Sequence, residues 1–387
     1  MKDGKVLIVG AGISGVTAAR VLAEAGFTVT VLEKRDEVGG NLYDYTDENG
    51  ILVQKYGPHI FHANDKEVFS FLSRFTEWEK YEHRVLGYID GKYVPIPFNL
   101  TSLYALYPKD EADAIKDILI QEIGEGQKVP ILTLKNHSDE RIRAFAGFVY
   151  EKVFAYYTQK QWGCKPEELG GGAMNRVPVY VSYEDRYFTD EYQYQPKEGF
   201  TTLIKNILAH KNITVRTGVD ALDEIEIRDE NIYYRKEKFD GKVIFTGRID
   251  ELFAFSFGAL PYRSLDFVFE THNTRSYQNA AVVNYTTTED YTRISEFTKF
   301  TCAPKDKTVI VKEYSKAFEE GDIPYYPIPK EEFQAEYLKY LRQAEKVKNL
   351  YLLGRLARYR YINTDAAVKE ALLLAEDVIK QKEGKKS

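Results

Sequence analysis

The sequence predicts an α/β fold, in which a discontinuous Rossmann-like nucleotide-binding domain carries an inserted helical domain and an antiparallel β-sheet domain. Three observations lead to this prediction. A glycine-rich turn joins a strand to a helix near the N-terminus, residues 101–165 have helical periodicity, and residues 263–313 contain short segments rich in Val, Tyr, Phe and Thr. Apolar strands at 241–247 and 349–353 then return the chain to the first domain.

The N-terminal segment has the strand, turn, helix, strand order of a βαβ unit. It predicts a strand over 5–9, a helix from about Ser14 to Ala25 and a second strand over 28–33. This order is the setting in which a glycine-rich turn carries information about function.

The turn itself has the glycine spacing of a dinucleotide fingerprint. Gly10 permits a tight bend, Gly12 lets the backbone approach a pyrophosphate at the helix N-terminus, and Gly15 lets the helix pack closely on the strand. Glu33 ends the second strand, where a carboxylate accepts hydrogen bonds from a ribose 2′-hydroxyl. The segment therefore predicts dinucleotide binding.

The residues after the second strand distinguish the two common dinucleotides. The stretch KRDEVGGN, residues 34–41, adds a second glycine pair and resembles the FAD-binding extension of the amine-oxidase and GDP-dissociation-inhibitor group of flavoproteins. No second dinucleotide fingerprint follows, because ELGGGAMN at 168–175 lacks the preceding strand and the spacing. We predict bound FAD and a hydride donor that visits transiently.

The later pattern predicts where the domains divide. Asp90-Gly91 lies between two alternating segments and indicates a two-residue hairpin, and Asn64 or Asp65 is placed to cap a helix. The predicted domains are an FAD-binding domain of residues 1–75, 197–250 and 340–387, a helical domain with a mobile lid of residues 100–172, and a sheet domain of residues 76–99, 173–196 and 251–339.

Composition excludes several classes of function. The net charge of −6 is dispersed along the chain, so we expect no nucleic-acid or membrane partner. The N-terminus lacks a signal-peptide pattern, which predicts a cytoplasmic protein. Cys164 and Cys302 do not form a C-x-x-C pair, and His59 and His62 lack a third ligand with suitable spacing, so neither a dithiol centre nor a metal site is expected.

Three arginines lie in aromatic-rich, otherwise uncharged settings: Arg176, Arg293 and Arg355. Two guanidinium groups converging from separate segments would suit a diphosphate, although each arginine alone could equally pair with a structural carboxylate. The segment FAYYTQKQWG, residues 154–163, ends a predicted helix with an aromatic stripe. Such a stripe is usually core, but the Gln-x-Trp-Gly ending favours a loop that closes over a flat ring.

These motifs together resemble one family. YGPHIFH, YYTQKQWG, RVPV, YTRISE, KEYS with GDIPYYPI, and GRLARYRY occur in the order and at about the spacing found in bacterial UDP-galactopyranose mutases, and they span nearly the whole chain. The resemblance implies an FAD that must be reduced, by NAD(P)H or another external reductant. It also implies that flavin N5 attacks the anomeric carbon of UDP-galactose while UDP leaves, and that the enzyme is a homodimer.

The resemblance further implies roles for individual residues. The implied catalytic residues are Arg176, Arg293 and His62. The implied substrate contacts, which include the two arginines as the diphosphate clamp and Trp162 as the tryptophan of the lid, are Phe154, Tyr157, Trp162, Arg176, Tyr187, Asn284, Arg293, Glu313, Tyr326 and Tyr361. The implied FAD contacts are Gly10, Gly12, Ile13, Ser14, Gly15, Glu33, Lys34, Gly40, Asn41, His59, Ile60, Val219, Gly354, Arg355 and Asn363.

Two departures leave the substrate open. Asn363 stands where the family commonly has an aspartate, and Asp290 stands where a proline is frequent. The sugar could therefore be UDP-galactose, dTDP-fucose or UDP-N-acetylgalactosamine. Two other classes, a flavin amine oxidase and a flavin-free inhibitor of the GDP-dissociation type, share the fingerprint but not the arginine and lid motifs.

Overall fold

A computed structural model describes residues 4–169, 178–301 and 306–383 of the chain. Arg176, Cys302 and the glycine run 170–172, which would supply a hinge on the C-terminal side of the predicted lid, lie outside the described residues. Within the described ranges, no helix is both long and apolar enough to cross a bilayer.

A five-stranded parallel sheet forms the nucleotide-binding part of the fold. Its order across the sheet is Ile213–Arg216, Thr28–Leu32, Lys5–Val9, Lys242–Phe245 and Leu350–Leu352. The strands predicted at 5–9, 28–33, 241–247 and 349–353 are confirmed. Parallel sheets are covered on both faces. Helices Ile13–Glu24, Gly199–Leu208 and Thr364–Glu383 cover one face, and helix Glu331–Ala344 contributes to the cover of the other.

The first strand shows how the sequence specifies both faces. Val6 and Ile8 join the core under the N-terminal helix, whereas Leu7 and Val9 join the core on the opposite face. Successive side chains of a strand point to opposite faces, so an uninterrupted apolar run is needed here.

A seven-stranded sheet forms the second layer of the protein. Its order is Tyr326–Pro327, Tyr262–His272, Thr308–Ala317, Arg293–Glu296, Val282–Tyr285, Val85–Ile89 and Lys92–Ile96. The predicted hairpin is confirmed, because Asp90 and Gly91 both have positive φ angles, 47° and 81°, as a two-residue turn of this kind requires. One pair departs from the antiparallel prediction.

Strand Val282–Tyr285 pairs in parallel with Val85–Ile89. A parallel pair needs a long crossover, and the section between these strands, which contains the helices, supplies it. Strand composition carries no information about this direction, so the sequence predicted the strand but not its orientation.

The helical section lies against this sheet. Its members are Leu100–Leu106, Lys109–Glu122, Ile131–Lys135, Glu140–Val149, a π-helix over Tyr150–Ala155, and Tyr156–Trp162. A two-residue strand, Lys128–Val129, interrupts the predicted helical run and pairs with Val179–Tyr180. Phe145 and Phe154 share one buried core with Val282 and Val311 of the sheet, so the helices and the sheet fold as one packed unit.

Shorter elements complete the chain. Helix Lys66–Leu72 begins after Asp65, whose carboxylate accepts the amides of Glu67 and Val68 at 2.8 and 3.3 Å, which confirms the predicted cap. The other short strands are Asp44–Thr46, Leu52–Gln54, Phe61–Ala63, Trp78–Lys80, Tyr192–Pro196, Ile225–Arg228, Asn231–Tyr234 and Glu237–Lys238, and the other short helices are Ala221–Glu224, Ile249–Leu252 and Gly354–Ala357. The division into three domains stays a prediction.

Candidate active site

A cavity of about 1260 Å³ opens beyond the carboxyl ends of the parallel strands. This is the edge of an α/β sheet at which ligands bind. All but one of the predicted cofactor residues lie in its wall: Gly10, Gly12, Ile13, Ser14, Gly15, Glu33, Lys34, Gly40, Asn41, His59, Val219, Gly354, Arg355 and Asn363. The exception is Ile60, which packs instead against the core between the helices and the seven-stranded sheet.

The glycine-rich turn has the geometry of a cradle. A Cβ on Gly10, where φ is +100°, would lie 2.1 Å from Thr246 Oγ1, and a Cβ on Gly15 would lie 2.1 Å from the Gly10 carbonyl oxygen. A Cβ on Gly12 would meet only Gly40 Cα, at 3.9 Å, and would otherwise project into open space. The first and third glycines therefore serve the fold, while Gly12 keeps the cavity clear.

Glu33 is held in place by backbone amides. Its two carboxylate oxygens accept the amides of Ala11 at 2.7 Å and Arg35 at 3.0 Å, and the side chain is buried at the cavity wall. Because a carboxylate oxygen can accept more than one hydrogen bond, Glu33 keeps accepting capacity for a ribose hydroxyl.

Arg35 lines the cavity and was missed in the sequence. Its guanidinium lies 4.3 Å from the centre of the Tyr56 ring and donates to Asn41 Oδ1 at 3.1 Å, while Nη1 is buried with no hydrogen-bond partner among the described residues. A buried, unpartnered guanidinium nitrogen is costly unless a ligand accepts from it. Its position two residues after the acidic strand end was the available signal.

The opposite wall comes from the arginine-rich segment near the C-terminus. Arg355 donates to the carbonyls of Tyr325 at 3.1 Å and Ile362 at 2.8 Å, which holds its guanidinium at the cavity. Arg358 and Arg360 both pair instead with Glu370 of the final helix, so these two arginines are structural. The helix begins at Thr364, directly after Asn363.

The two histidines of the segment YGPHIFH, His59 and His62, lie in different environments. His59 lines the cavity, and its Nδ1 lies 2.9 Å from the Gly57 carbonyl oxygen. Burial and the charges of Arg355 and Arg293 lower the pKa of His59 to about 4, so its ring is neutral near pH 7. His62 lies outside the cavity wall, where its ring stacks on Phe188 with centroids 3.6 Å apart.

Five residues on adjacent strands form a row across the seven-stranded sheet, and the three in the middle of the row have polar side chains. Gly87, Asn284, Arg293, Glu313 and Phe267 are direct partners on five adjacent strands. Directly opposite residues point to the same face of a sheet, so strand register brings Asn284, Arg293 and Glu313 together. The row lies near the cavity, because Phe267 contacts the cavity-lining Tyr325 with ring centroids 5.8 Å apart and the Arg293 charge acts on the cavity-lining His59.

The part-buried Arg293 and the buried Glu313 form an incompletely bonded pair. Arg293 Nε lies 3.3 Å from Glu313 Oε1, yet neither atom makes an aligned hydrogen bond within the described residues. Burial raises the pKa of Glu313, and the arginine offsets this only in part. Burial acts to lower the pKa of Arg293, but Glu313 and the neighbouring tyrosines together more than reverse this and keep the guanidinium charged.

Tyrosines from three further segments surround Arg293. The Tyr157 hydroxyl accepts a hydrogen bond from Arg293 Nη2 at 3.0 Å, and burial raises the pKa of Tyr157 to about 12. The ring of Tyr326 lies 5.9 Å from Trp162 and 5.5 Å from Tyr361, and the Arg355 guanidinium lies 4.7 Å from the Tyr361 ring centre. This arrangement gives a cluster of cationic and aromatic side chains, a combination that suits a nucleoside diphosphate.

The remaining predicted site residues have different positions. Tyr187 lies close enough to Arg293 and Tyr157 to influence the pKa of both groups. Phe154 is buried in the core between the helices and the sheet. Arg176 lies outside the described residues. In the part of the chain that the structure describes, no group of three or more metal-ligating side chains occurs.

Comparison with protein families matches both halves of this site. A family model described as UDP-galactopyranose mutase matches residues 152–361, and one described as an NAD(P)-binding Rossmann-like domain matches residues 8–75. The first range contains Tyr157, Arg293, Glu313 and Tyr326, and the second contains the glycine-rich turn.

Curated relatives are similar over almost their whole length. The chain is 37% identical to the probable UDP-galactopyranose mutase of Klebsiella pneumoniae, over 98% of this chain and 96% of that protein. It is 35% identical to the dTDP-fucopyranose mutase of Escherichia coli, over 97% of this chain and 98% of that protein. A crystal structure of a reduced UDP-galactopyranose mutase has the same fold, with a TM-score of 0.71 at 17% identity and coverage of 98% and 95% of the two chains.

Proposed function

The chain belongs to the UDP-galactopyranose mutase family, and from this premise we propose that it interconverts UDP-galactopyranose and UDP-galactofuranose without net oxidation or reduction. The observation that carries the proposal is the juxtaposition of two sites. The cavity with the glycine cradle lies close to Arg293, a part-buried arginine whose Nε has no hydrogen-bond partner among the described residues and whose charge acts on the cavity-lining His59. An oxidase acting on amines would have no use for such a cation.

The cavity residues fit FAD. Gly12 would admit the pyrophosphate to the helix N-terminus, Arg35 Nη1 would donate to it, and Glu33 would accept from a ribose hydroxyl. When bound and reduced, FAD would supply N5 as the nucleophile for the anomeric carbon of the sugar. NAD(P)H or another external reductant would visit transiently to reduce it.

Arg293 would bind the diphosphate and hold it after it leaves the sugar. Tyr157 fixes the guanidinium at one end, and Glu313 lies too poorly aligned to use all of its donors. A bidentate pair with phosphate oxygens is stronger than a neutral contact and is geometrically specific. Keeping the departed UDP in place makes its return an intramolecular step. Tyr326, Tyr361 and Arg355 would enclose the same anion.

Asn284 and Glu313 would contact the sugar. Asn284 Oδ1 is buried and accepts no hydrogen bond from the described residues, so it has capacity for a sugar hydroxyl. Burial raises the pKa of Glu313, which suits a carboxyl group beside hydroxyls that exchange roles during ring opening and closure. The neutral His59 ring would lie at the junction between sugar and cofactor.

A second candidate substrate is a related nucleotide sugar, and two observations favour testing it. One full-length relative is a dTDP-fucopyranose mutase, and Asn363, which lines the cavity, carries no charge. The same chemistry on dTDP-fucose or UDP-N-acetylgalactosamine would use the same diphosphate contacts. A cytoplasmic homodimer is the assembly that we propose for either activity.

The test is a panel assay of the purified holoenzyme. UDP-galactofuranose, dTDP-fucofuranose and UDP-N-acetylgalactofuranosamine are each incubated with dithionite-reduced enzyme, and the pyranose products are separated by chromatography. We expect turnover of UDP-galactofuranose only when the enzyme is reduced. Faster turnover of dTDP-fucofuranose would reassign the sugar, and failure with every member of the panel would overturn the mutase proposal.

A further inference from the structure

Helix Tyr156–Trp162 contacts the hairpin that carries Arg293 at two points. Residues three apart lie on the same face of a helix, so Tyr157 and Lys160 both point toward this hairpin. Tyr157 bonds the Arg293 side chain directly. Lys160 instead donates hydrogen bonds to backbone carbonyls in the segment just before Arg293. The family resemblance implies no role for Lys160 in binding substrate or cofactor.

Lys160 places its ammonium inside that loop. Nζ donates to the carbonyl oxygens of Glu289 at 2.9 Å and Tyr291 at 3.2 Å, and also to that of Tyr285. The loop, residues 286–292, joins strand Val282–Tyr285 to the strand that begins at Arg293. An ammonium has three donors, so the three carbonyls satisfy it fully.

The ammonium is held by carbonyl dipoles instead of a paired carboxylate. Among the described residues, no acidic side chain lies within ion-pair distance of Lys160. Burial lowers the pKa of Lys160, and the nearby charges of Glu289 and Asp290 offset this only in part. A buried charge is tolerated only where it is fully hydrogen-bonded. Three backbone carbonyls directed at one cation therefore define the loop's shape.

We propose that Lys160 is a positioning residue for Arg293, and that it fixes the loop 286–292 against the helix so that the guanidinium points at the diphosphate. The inference deepens the proposed function and rests on it. Without the ammonium, three part-buried carbonyls would lose their donor and the loop would relax. Arg293 could then align on Glu313, which lies only 3.3 Å away, and its donors would be lost to the substrate.

A second cation keeps the helix itself in place. Arg263 donates to the carbonyls of Gln161 at 3.0 Å and Lys160 at 3.1 Å, and Ser315 Oγ donates to Gln161 at 2.8 Å. Gly163 follows with a φ of +69°, and a Cβ there would lie 2.8 Å from Arg263 Nη1. The helix end therefore stays attached to the sheet when the Lys160 side chain is removed, so the effect should be confined to the hairpin.

The test compares FAD-loaded Lys160→Met with Lys160→Arg and with Lys152→Met. Lys152 lies on the preceding π-helix and pairs with the surface residue Asp90 at 3.1 Å, so it is a control of the same residue type in the same helical run. Exposed pairs of this kind contribute little. UDP affinity is measured by titration calorimetry, and exchange of the amides of 286–292 by mass spectrometry.

We expect Lys160→Met to weaken UDP binding about tenfold and to speed exchange in 286–292, with unchanged FAD content and a higher KM at a similar kcat. Lys160→Arg should recover most of the affinity, and Lys152→Met should match the wild type. UDP affinity of Lys160→Met within about twofold of wild type, or unchanged exchange in the loop, would overturn the inference. If the methionine variant fails to fold, Lys160→Gln is measured with the same criteria.

The wild-type control separates the two proposals. If the wild-type holoenzyme fails to bind UDP, the proposed function is wrong, and the exchange rates of the ligand-free variants still decide whether Lys160 fixes the loop. If wild type binds UDP and the variants bind it equally, the function stands and the role of Lys160 is wrong.

Discussion

The cofactor cavity and the arginine cluster lie side by side but are built in opposite ways. One side of the cavity is formed by two nearby stretches, residues 10–15 and 33–41, in which glycines leave space. The cluster around Arg293 is formed by side chains from separate segments that strand register brings into one row. The cavity requires residues without bulky side chains, whereas the cluster requires the charges of Arg293 and Glu313 to remain paired.

This difference determines how each site should fail. A substitution at Gly12 should remove the cofactor while the fold survives, because a Cβ there would meet no atom closer than 3.9 Å and would project into the cavity. A substitution in the cluster should leave the cofactor bound but disturb a buried charge, with consequences for stability as well as for the anion. The predictions below test this contrast from the largest expected effect to the smallest.

Arg293→Ala should lower the free energy of unfolding by about 3 kcal/mol, because it leaves the buried Glu313 carboxylate without its partner. Urea unfolding of the FAD-loaded proteins measures this. The double variant Arg293→Ala/Glu313→Gln should recover most of the loss, since the unpaired charge is gone, yet it should not recover UDP binding. Equal stability of the single and double variants would show that the pair is not a buried ion pair.

Gly12→Val should reduce FAD affinity by about a hundredfold, equivalent to about 2.7 kcal/mol. The backbone at Gly12 has a φ of −75°, which any residue can adopt, and its Cβ would meet no atom closer than 3.9 Å, so folding should be unaffected. Flavin absorbance after gel filtration and far-UV circular dichroism measure the two properties. Retained FAD would exclude the cradle as the pyrophosphate site.

Acid should destabilise the protein through two histidines near the junction of the sites, the buried His83 and the part-buried His59. The pKa is lowered to about 4 for His59 and to about 3 for His83, chiefly by burial. Between these values and the ordinary pKa near 6.5, the unfolded chain binds protons that the folded protein does not, so stability falls as pH falls. Each histidine should contribute about 1.4 kcal/mol per pH unit in this window.

The variant His83→Phe isolates one of these contributions. Its unfolding free energy should depend less steeply on pH than that of wild type between about pH 6.5 and 4, by roughly one proton. Parallel profiles for the two proteins in urea titrations over this range would contradict the neutral state of buried His83.

Tyr157→Phe should weaken UDP binding about fivefold, or about 1 kcal/mol, because it removes the hydroxyl that orients Arg293 at 3.0 Å. Tyr156→Phe is the matched control, since this neighbouring ring is 49% exposed and points away from the cluster. FAD content should be the same in both. An equal effect of the two substitutions would indicate that the helix, and not the hydroxyl, sets the affinity.

The cavity could be predicted from the sequence more fully than the cluster around Arg293. Gly10, Gly12, Gly15 and Glu33 lie within one continuous βαβ unit whose spacing alone indicates their roles, so the parallel sheet and its cavity were predictable. The alignment of Asn284, Arg293 and Glu313 depends on register between strands, including one parallel pair, and no local pattern encodes it. There the resemblance to a family supplied the grouping that periodicity could not.

Individual side chains mark the limit of sequence reasoning. Ile60 and His62 lie within three residues of His59 in the sequence, but only His59 lines the cavity. Ile60 packs against the core between the helices and the seven-stranded sheet, and His62, in the strand Phe61–Ala63, stacks on Phe188. In the sequence, Lys160 is a single charged residue within the aromatic segment 154–163. Its hydrogen bonds could not be predicted, because the three carbonyls that accept them lie more than a hundred residues away in the chain.

Titration of UDP into FAD-loaded Arg293→Ala is the most direct test of the division into two sites, with Arg358→Ala, whose partner is Glu370 of the final helix, as the control. The account predicts a full complement of FAD in both variants, wild-type UDP affinity in Arg358→Ala, and at least about a hundredfold loss of UDP affinity in Arg293→Ala. Loss of FAD from Arg293→Ala, or UDP binding that survives the substitution, would contradict it.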